Sequence, residues 1–118
     1  MSNYRELLVW QKAFALVKDV YLLTSKFPAD ERFGLVSQMR RAAVSIPSNI
    51  AEGRSRHTTG EFIQFVSHAE GSAAELETQL LLAVELGYSD GRSQTVLDNL
   101  TEVRKMLGAL RRKLGSNR

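Results

Sequence analysis

Between residues 96 and 114 the apolar residues Val96, Leu100, Val103, Leu107, Leu110 and Leu114 recur at alternating steps of four and three. That spacing places every one of them on a single stripe of a helix, the seam through which helices pack side by side. Three further series repeat the pattern: Val9, Ala13, Leu16, Val20, Leu23, Phe27; Val36, Met39, Ala43, Ile46, Ile50; and Phe62, Phe65, Ala69, Ala73, Leu76, Leu80, Ala83. No segment sustains a period of two, so no strand is expected. The fold class expected is all-α: one domain over residues 1–118, with helices at roughly 8–26, 30–55, 59–87 and 90–114. A chain of 118 residues is long enough for one modest core of that kind.

The breaks between the series carry turn chemistry. "KFPADE" separates the first two helices, with Asp30 and Glu31 suited to the positive N-terminus of the second. "GRSRHTTG" separates the second and third, with Thr58 or Thr59 as N-cap, and "LGYSDG" separates the last two, with Gly87 as a stop and Ser89 as a cap. Connections this short favour antiparallel neighbours, hence an up-down-up-down bundle. Trp10, Phe14 and Tyr21 lie beside the first seam, and Leu81 and Leu82 widen the third. Stripes this broad point to self-association.

Several chemistries find no footing. The chain has no cysteine, which excludes disulfides, thiolate nucleophiles and zinc–thiolate sites. A carboxylate-bridged metal pair in a helical bundle uses Glu-x-x-His pairs, but Arg54 and Phe65 stand three residues before His57 and His68. Neither a Gly-x-Ser-x-Gly elbow nor a phosphate-binding glycine loop is present. The chain is therefore expected to be no enzyme and to take no metal or cofactor. No apolar run approaches the roughly 20 residues of a membrane span, and no leader of the secretory type is read, so a cytoplasmic location is expected.

The stretch "RRAAVSIPSNIAEGRSR", residues 40–56, keeps its apolar register on both sides of Pro47. A proline there removes one helical hydrogen bond and crowds the preceding turn, so the second helix is expected to bend near it. Arg40, Arg41, Asn49 and Glu52 on this helix, with Glu70, Glu75 and Glu77 on the third, form a candidate structural network in which Arg40 or Arg41 bridges to a glutamate. The alternative leaves arginines of this segment available to phosphates. Net charge is +3, and beyond Glu102 no acidic residue occurs while Arg104, Lys105, Arg111, Arg112, Lys113 and Arg118 do. Candidates for nucleic-acid contact are Arg54, Arg56, Arg104, Lys105, Arg111, Arg112 and Lys113, through sequence-independent and salt-sensitive pairing with phosphates.

The blocks "LLVWQKAFALVKDVYLLTSKFP", "FGLVSQMRRAAVSIPSNIAEGRSR" and "EFIQFVSHAEGSAAELETQLLLAVELGY" resemble the four-helix-bundle protein family of 23S ribosomal RNA intervening sequences. Arg40, Arg41, Ser45, Pro47, Asn49, Glu52 and Gly53 match its central motif. Glu70, Gly71, Glu75, Glu77 and Gln79 match its helix-three motif. The resemblance implies an antiparallel bundle that assembles as a homopentamer around a channel, with no enzymatic activity. It also extends to the accessory variability determinant of diversity-generating retroelements, a basic pentamer that associates with a reverse transcriptase and binds nucleic acid. The function expected is thus a non-enzymatic homo-oligomer with a nucleic-acid accessory role, its partners being itself, RNA or DNA, and a reverse transcriptase or other protein. The alternative is an oligomeric protein scaffold that binds no nucleic acid.

Overall fold

In the computed structural model, residues 3–88 and 91–116 are described. Four helices, α1 (Leu8–Thr24), α2 (Leu35–Arg54), α3 (Thr59–Glu85) and α4 (Ser93–Ser116), follow one another, with short 3-10 turns at Tyr4–Glu6 and Ala29–Glu31. No strand occurs among the described residues. Each helix packs on its neighbour in sequence, and α4 closes the ring against α1. The particle measures 46 × 22 × 20 Å. At about 1.5 Å per residue α3 alone spans most of the long axis. Cross-helix pairs report the antiparallel order directly: Ser45 meets Ser72, Glu70 meets Arg111, Glu77 meets Arg104 and Lys12 meets Glu102.

The core is built from the four periodic series. Every member of the first two is buried, from Val9 to Phe27 and from Val36 to Ile50. Burial of each such Leu, Ile or Val contributes about 1.5–3 kcal/mol. The third series departs at one place: Phe65 is half-buried and Val66 occupies the interior. In the fourth, Leu110 and Leu114 are only half-buried, packed against the margin of the core.

The second helix starts at Leu35 rather than near residue 30. Residues Ala29–Glu31 make a 3-10 turn instead, and the Glu31 carboxylate accepts the Leu35 N–H at 3.1 Å, doing the work of an N-cap that Gly34 has no side chain to perform. Tyr88 donates its O–H to the other Glu31 oxygen at 2.8 Å and packs against Phe27 with the rings tilted by 50°, which ties the end of α3 to the α1–α2 connection. Tyr88 is placed by the α3 terminus, where Gly87 adopts φ 78° and the Tyr88 and Gly87 N–H groups return to the Ala83 and Val84 carbonyls. Thr58 caps α3 by accepting the Glu61 N–H at 3.1 Å. The expected cap of the last helix, Ser89, lies outside the described residues.

Pro47 leaves α2 unbroken, and its ring is buried. Two residues on, the Asn49 side-chain amide donates back to the Ser45 carbonyl at 2.8 Å and to Ser45 Oγ at 2.9 Å. The same hydroxyl shares a hydrogen bond of 2.8 Å with the Ser72 hydroxyl on α3. Lower down, α2 and α3 come so close that a Cβ placed on Gly53 would lie 2.6 Å from Phe65 Cβ and 3.0 Å from Phe62 Cδ1. Only glycine fits this crossing without moving a helix.

Candidate nucleic-acid interface

Arg104 and Arg111 stand one heptad apart on α4, as Glu77 and Glu70 do on α3. Antiparallel packing brings the two pairs into register. Arg111 grips Glu70 with two donors, Nε to Oε1 at 2.7 Å and a terminal nitrogen to Oε2 at 3.3 Å. Arg104 reaches Glu77 Oε1 at 2.8 Å. These pairs are partly exposed, so they orient the arginines more than they stabilise the fold. The hydrogen bond that Arg111 donates to Glu70, and then the Glu70 charge, raises the pKa of the Arg111 guanidinium above its ordinary value, so Arg111 remains a cation at every working pH.

Between α3 and α4 lies an open groove of about 400 Å³. Buried Gly108 forms its floor; a Cβ there would stand 3.2 Å from a terminal nitrogen of Arg112 and 3.8 Å from a Glu70 oxygen. Arg104, Lys105, Arg111 and Arg112 line it against only two carboxylates, Glu70 and Glu77. Lys105, Arg112 and Lys113 are exposed and form no ion pair among the described residues. Arg118 lies outside them.

The other candidate cations sit where α2 ends, at the same end of the bundle but on the opposite flank of α3. Arg56 pairs with Glu52 one turn back at 3.3 Å and lies 4.9 Å from the Phe65 ring centroid. Arg54 lies 5.9 Å from the Phe62 ring. Both guanidiniums thus cover the aromatic pair that flanks Gly53.

The central motif divides differently from the expected bridge between the second and third helices. Arg40 turns toward α1: Nε donates to the buried Thr24 hydroxyl at 2.9 Å, a terminal nitrogen to the Tyr21 carbonyl at 3.4 Å, and the guanidinium lies 4.4 Å from the Tyr21 ring centroid. Arg41 and Glu75 are exposed on either side of a shallow α2–α3 groove of about 380 Å³ and form no ion pair among the described residues. Gln79, 6% exposed, lines the same groove, and its Oε1 is buried without a partner. The arginines that satisfy Glu70 and Glu77 therefore come from α4. The matching heptads were the sequence signal for them.

Among the described residues no three His, Asp or Glu side chains converge in a way that would hold a metal ion. His68 stands edge-on to Phe65 at 5.7 Å. No helix of the described residues is long and apolar enough to cross a membrane.

The sequence matches the family described as "23S rRNA-intervening sequence protein" over residues 5–109. A crystal structure of a protein of unknown function from the S23 ribosomal protein family of Bacteroides thetaiotaomicron superposes with a TM-score of 0.78 at 22% identity, covering 87% of this chain and 97% of that one. At that identity the likeness establishes the shared four-helix fold. Among curated proteins none matches the chain.

Proposed function

The chain belongs to the 23S rRNA-intervening sequence protein family, and we propose that it acts there as a non-enzymatic, cytoplasmic, homo-oligomeric helical bundle whose basic surface meets the phosphates of RNA or DNA. The observation that carries the reading is the charge balance along the α3–α4 groove. Glu70 and Glu77 each hold one arginine in place, while Lys105, Arg112 and Lys113 extend the positive surface without carboxylate partners among the described residues. Two anchored guanidiniums present a preset geometry, and the exposed cations beside them add positive charge within reach of the same backbone. Contacts of this kind read no sequence; they release condensed counterions and weaken as salt rises.

The assembly we propose is a pentamer, as the family resemblance implies. Two exposed apolar faces support self-association. One is a groove of about 600 Å³ between α1 and α2, where Trp10 packs on Phe14 at 4.9 Å with Val17, Val44 and Pro47 around them. The other is the outer side of α3, where Leu81, Leu82 and Leu86 are at least half exposed. Isolated chains rarely leave such area uncovered. The same groove favours a second reading, an oligomeric scaffold that docks another protein and binds no nucleic acid.

Fluorescence anisotropy with labelled RNA of arbitrary sequence separates the two. Replacing Lys105, Arg112 and Lys113 together by alanine is expected to weaken low-salt binding and flatten its salt dependence while leaving the helical circular dichroism unchanged. Wild-type protein that binds no RNA or DNA at low salt would leave the scaffold reading in its place.

A further inference from the structure

Phe33 is 89% exposed, more than any other large apolar side chain among the described residues. It sits in the turn between the 3-10 segment Ala29–Glu31 and Gly34, ahead of α2. The Arg32 guanidinium lies 5.4 Å from its ring centroid. Phe33 borders an open groove of about 660 Å³ whose other walls include Tyr21, Arg32, Val36, Arg40 and Arg41, with no carboxylate among its lining residues.

Glu31, the carboxylate nearest in sequence, is directed elsewhere, to the Leu35 N–H and the Tyr88 hydroxyl. Arg40 uses two donors on α1 and keeps others for a ligand, its guanidinium held 4.4 Å from the Tyr21 ring centroid. Arg41 is exposed and makes no ion pair among the described residues. An uncovered ring beside Arg32, in a groove that Arg40 and Arg41 also line and that has no carboxylate among its lining residues, suits one ligand chemistry: a flat π-face joined to several negative charges. Unpaired nucleotides present both, whereas a duplex keeps its base faces stacked inside.

We infer that this groove beside Phe33 is a stacking platform for single-stranded nucleic acid, one unpaired base lying on Phe33 and the neighbouring phosphates meeting Arg32, Arg40 and Arg41. It shares only Tyr21 and Val44 with the apolar groove of Trp10 and Phe14. The inference rests on the nucleic-acid reading above and adds a location and a strandedness to it. Base–aromatic stacking is tolerant of sequence, so the platform selects unpaired strands without selecting bases. Phosphate contacts at Arg32 and Arg41 supply the salt-dependent part of the affinity, and the ring supplies a part that salt leaves almost unchanged.

The test titrates a short labelled RNA, single-stranded and then annealed to its complement, into wild-type protein and into Phe33→Ala, Phe33→Leu, Phe33→Trp, Arg41→Ala and the Lys105/Arg112/Lys113 alanine variant. Phe33→Ala and Phe33→Leu are expected to weaken single-strand binding about 5- to 150-fold, the range alanine substitution of a stacking aromatic produces. Their duplex binding and salt slope should stay unchanged, and Phe33→Trp should retain wild-type affinity. Arg41→Ala should flatten the slope of log affinity against log salt by about 0.7.

Equal single-strand affinity in wild type, Phe33→Ala and Phe33→Leu, with loss only in the Lys105/Arg112/Lys113 variant, overturns the platform and leaves the nucleic-acid reading standing. Absence of binding by wild-type protein to either strand form removes both. A smaller oligomer for Phe33→Ala in native mass spectrometry makes Phe33 a subunit contact and also overturns the platform.

Discussion

Two glycines in helical segments should answer the same substitution with opposite signs. Alanine at Gly53 would place a Cβ 2.6 Å from Phe65 Cβ and 3.0 Å from Phe62 Cδ1. Ordinary carbon contacts lie near 3.5–4.0 Å, so α2 and α3 must separate by roughly 1 Å at their crossing. Phe65 Cβ moves only with its backbone, which leaves no side-chain rotation to absorb the clash. Overpacking of this kind costs about 1–3 kcal/mol. The offsetting propensity gain of alanine over glycine is at most about 1 kcal/mol, and smaller here because Gly53 is next to the last residue of α2. Net destabilisation of about 1–2 kcal/mol is expected. At Gly71, inside α3, a Cβ meets nothing within 4 Å. Gly71→Ala is therefore expected to stabilise by about 0.5–1 kcal/mol. Thermal unfolding followed by circular dichroism at one protomer concentration should separate the two variants by on the order of 8 °C, with wild type between them. A Gly53→Ala protein as stable as wild type would refute the claim that α2–α3 contact dictates glycine at this position.

Other perturbations follow from the polar contacts. Glu70→Gln removes the carboxylate from Arg111, so RNA affinity should rise and the salt slope steepen by about 0.7; Arg111→Ala should move both the other way in the same titration. The Leu35 N–H, and then the Tyr88 hydroxyl, hold the Glu31 carboxyl below its ordinary range, so its stabilisation is present above that range and is lost as pH falls through the lowered value. The Glu31 hydrogen bond holds the Tyr88 phenol above its ordinary value, so that stabilisation is present below about pH 10 and is lost as pH rises through the raised value. Tyr88→Phe should remove the alkaline loss in urea midpoints measured against pH, while most of the acid loss persists because the Leu35 N–H is the larger cause. In native mass spectrometry at micromolar concentration the wild type should be a pentamer, and Phe14→Glu, at an exposed position of the α1 apolar groove, should yield smaller species.

The seams of the bundle were legible because a three-four spacing and a buried helix stripe are the same fact seen twice. They failed at Phe65, whose apolar spacing fits the stripe while Val66 fills the interior and the phenyl ring takes the Gly53 and Arg56 contacts. The start of α2 was misplaced because Asp30 and Glu31 suit any helix N-terminus. Only the side-chain bond from Glu31 to the Leu35 N–H distinguishes a separate turn. Partner choice among the charges was harder still. Periodicity gives each helix a stripe but does not say which flank of α2 faces α1 and which faces α3, so Arg40 or Arg41 was expected to bridge to a glutamate of α3. Arg40 instead lies against Tyr21 and Thr24, and Arg41 forms no ion pair among the described residues. The α3–α4 pairing carried a readable mark, matching heptads of opposite charge. Phe33, in a turn with no period, carried none.

Whether the α3–α4 surface meets phosphates is tested most directly by the affinity for an RNA of arbitrary sequence measured across a salt series. With at least three phosphates contacted by Arg112 and its neighbours, the logarithm of affinity is expected to fall linearly with the logarithm of salt with a slope of about −2 or steeper. It should be indifferent to base sequence. No binding at low salt, or an affinity that does not change across the series, would contradict phosphate contact.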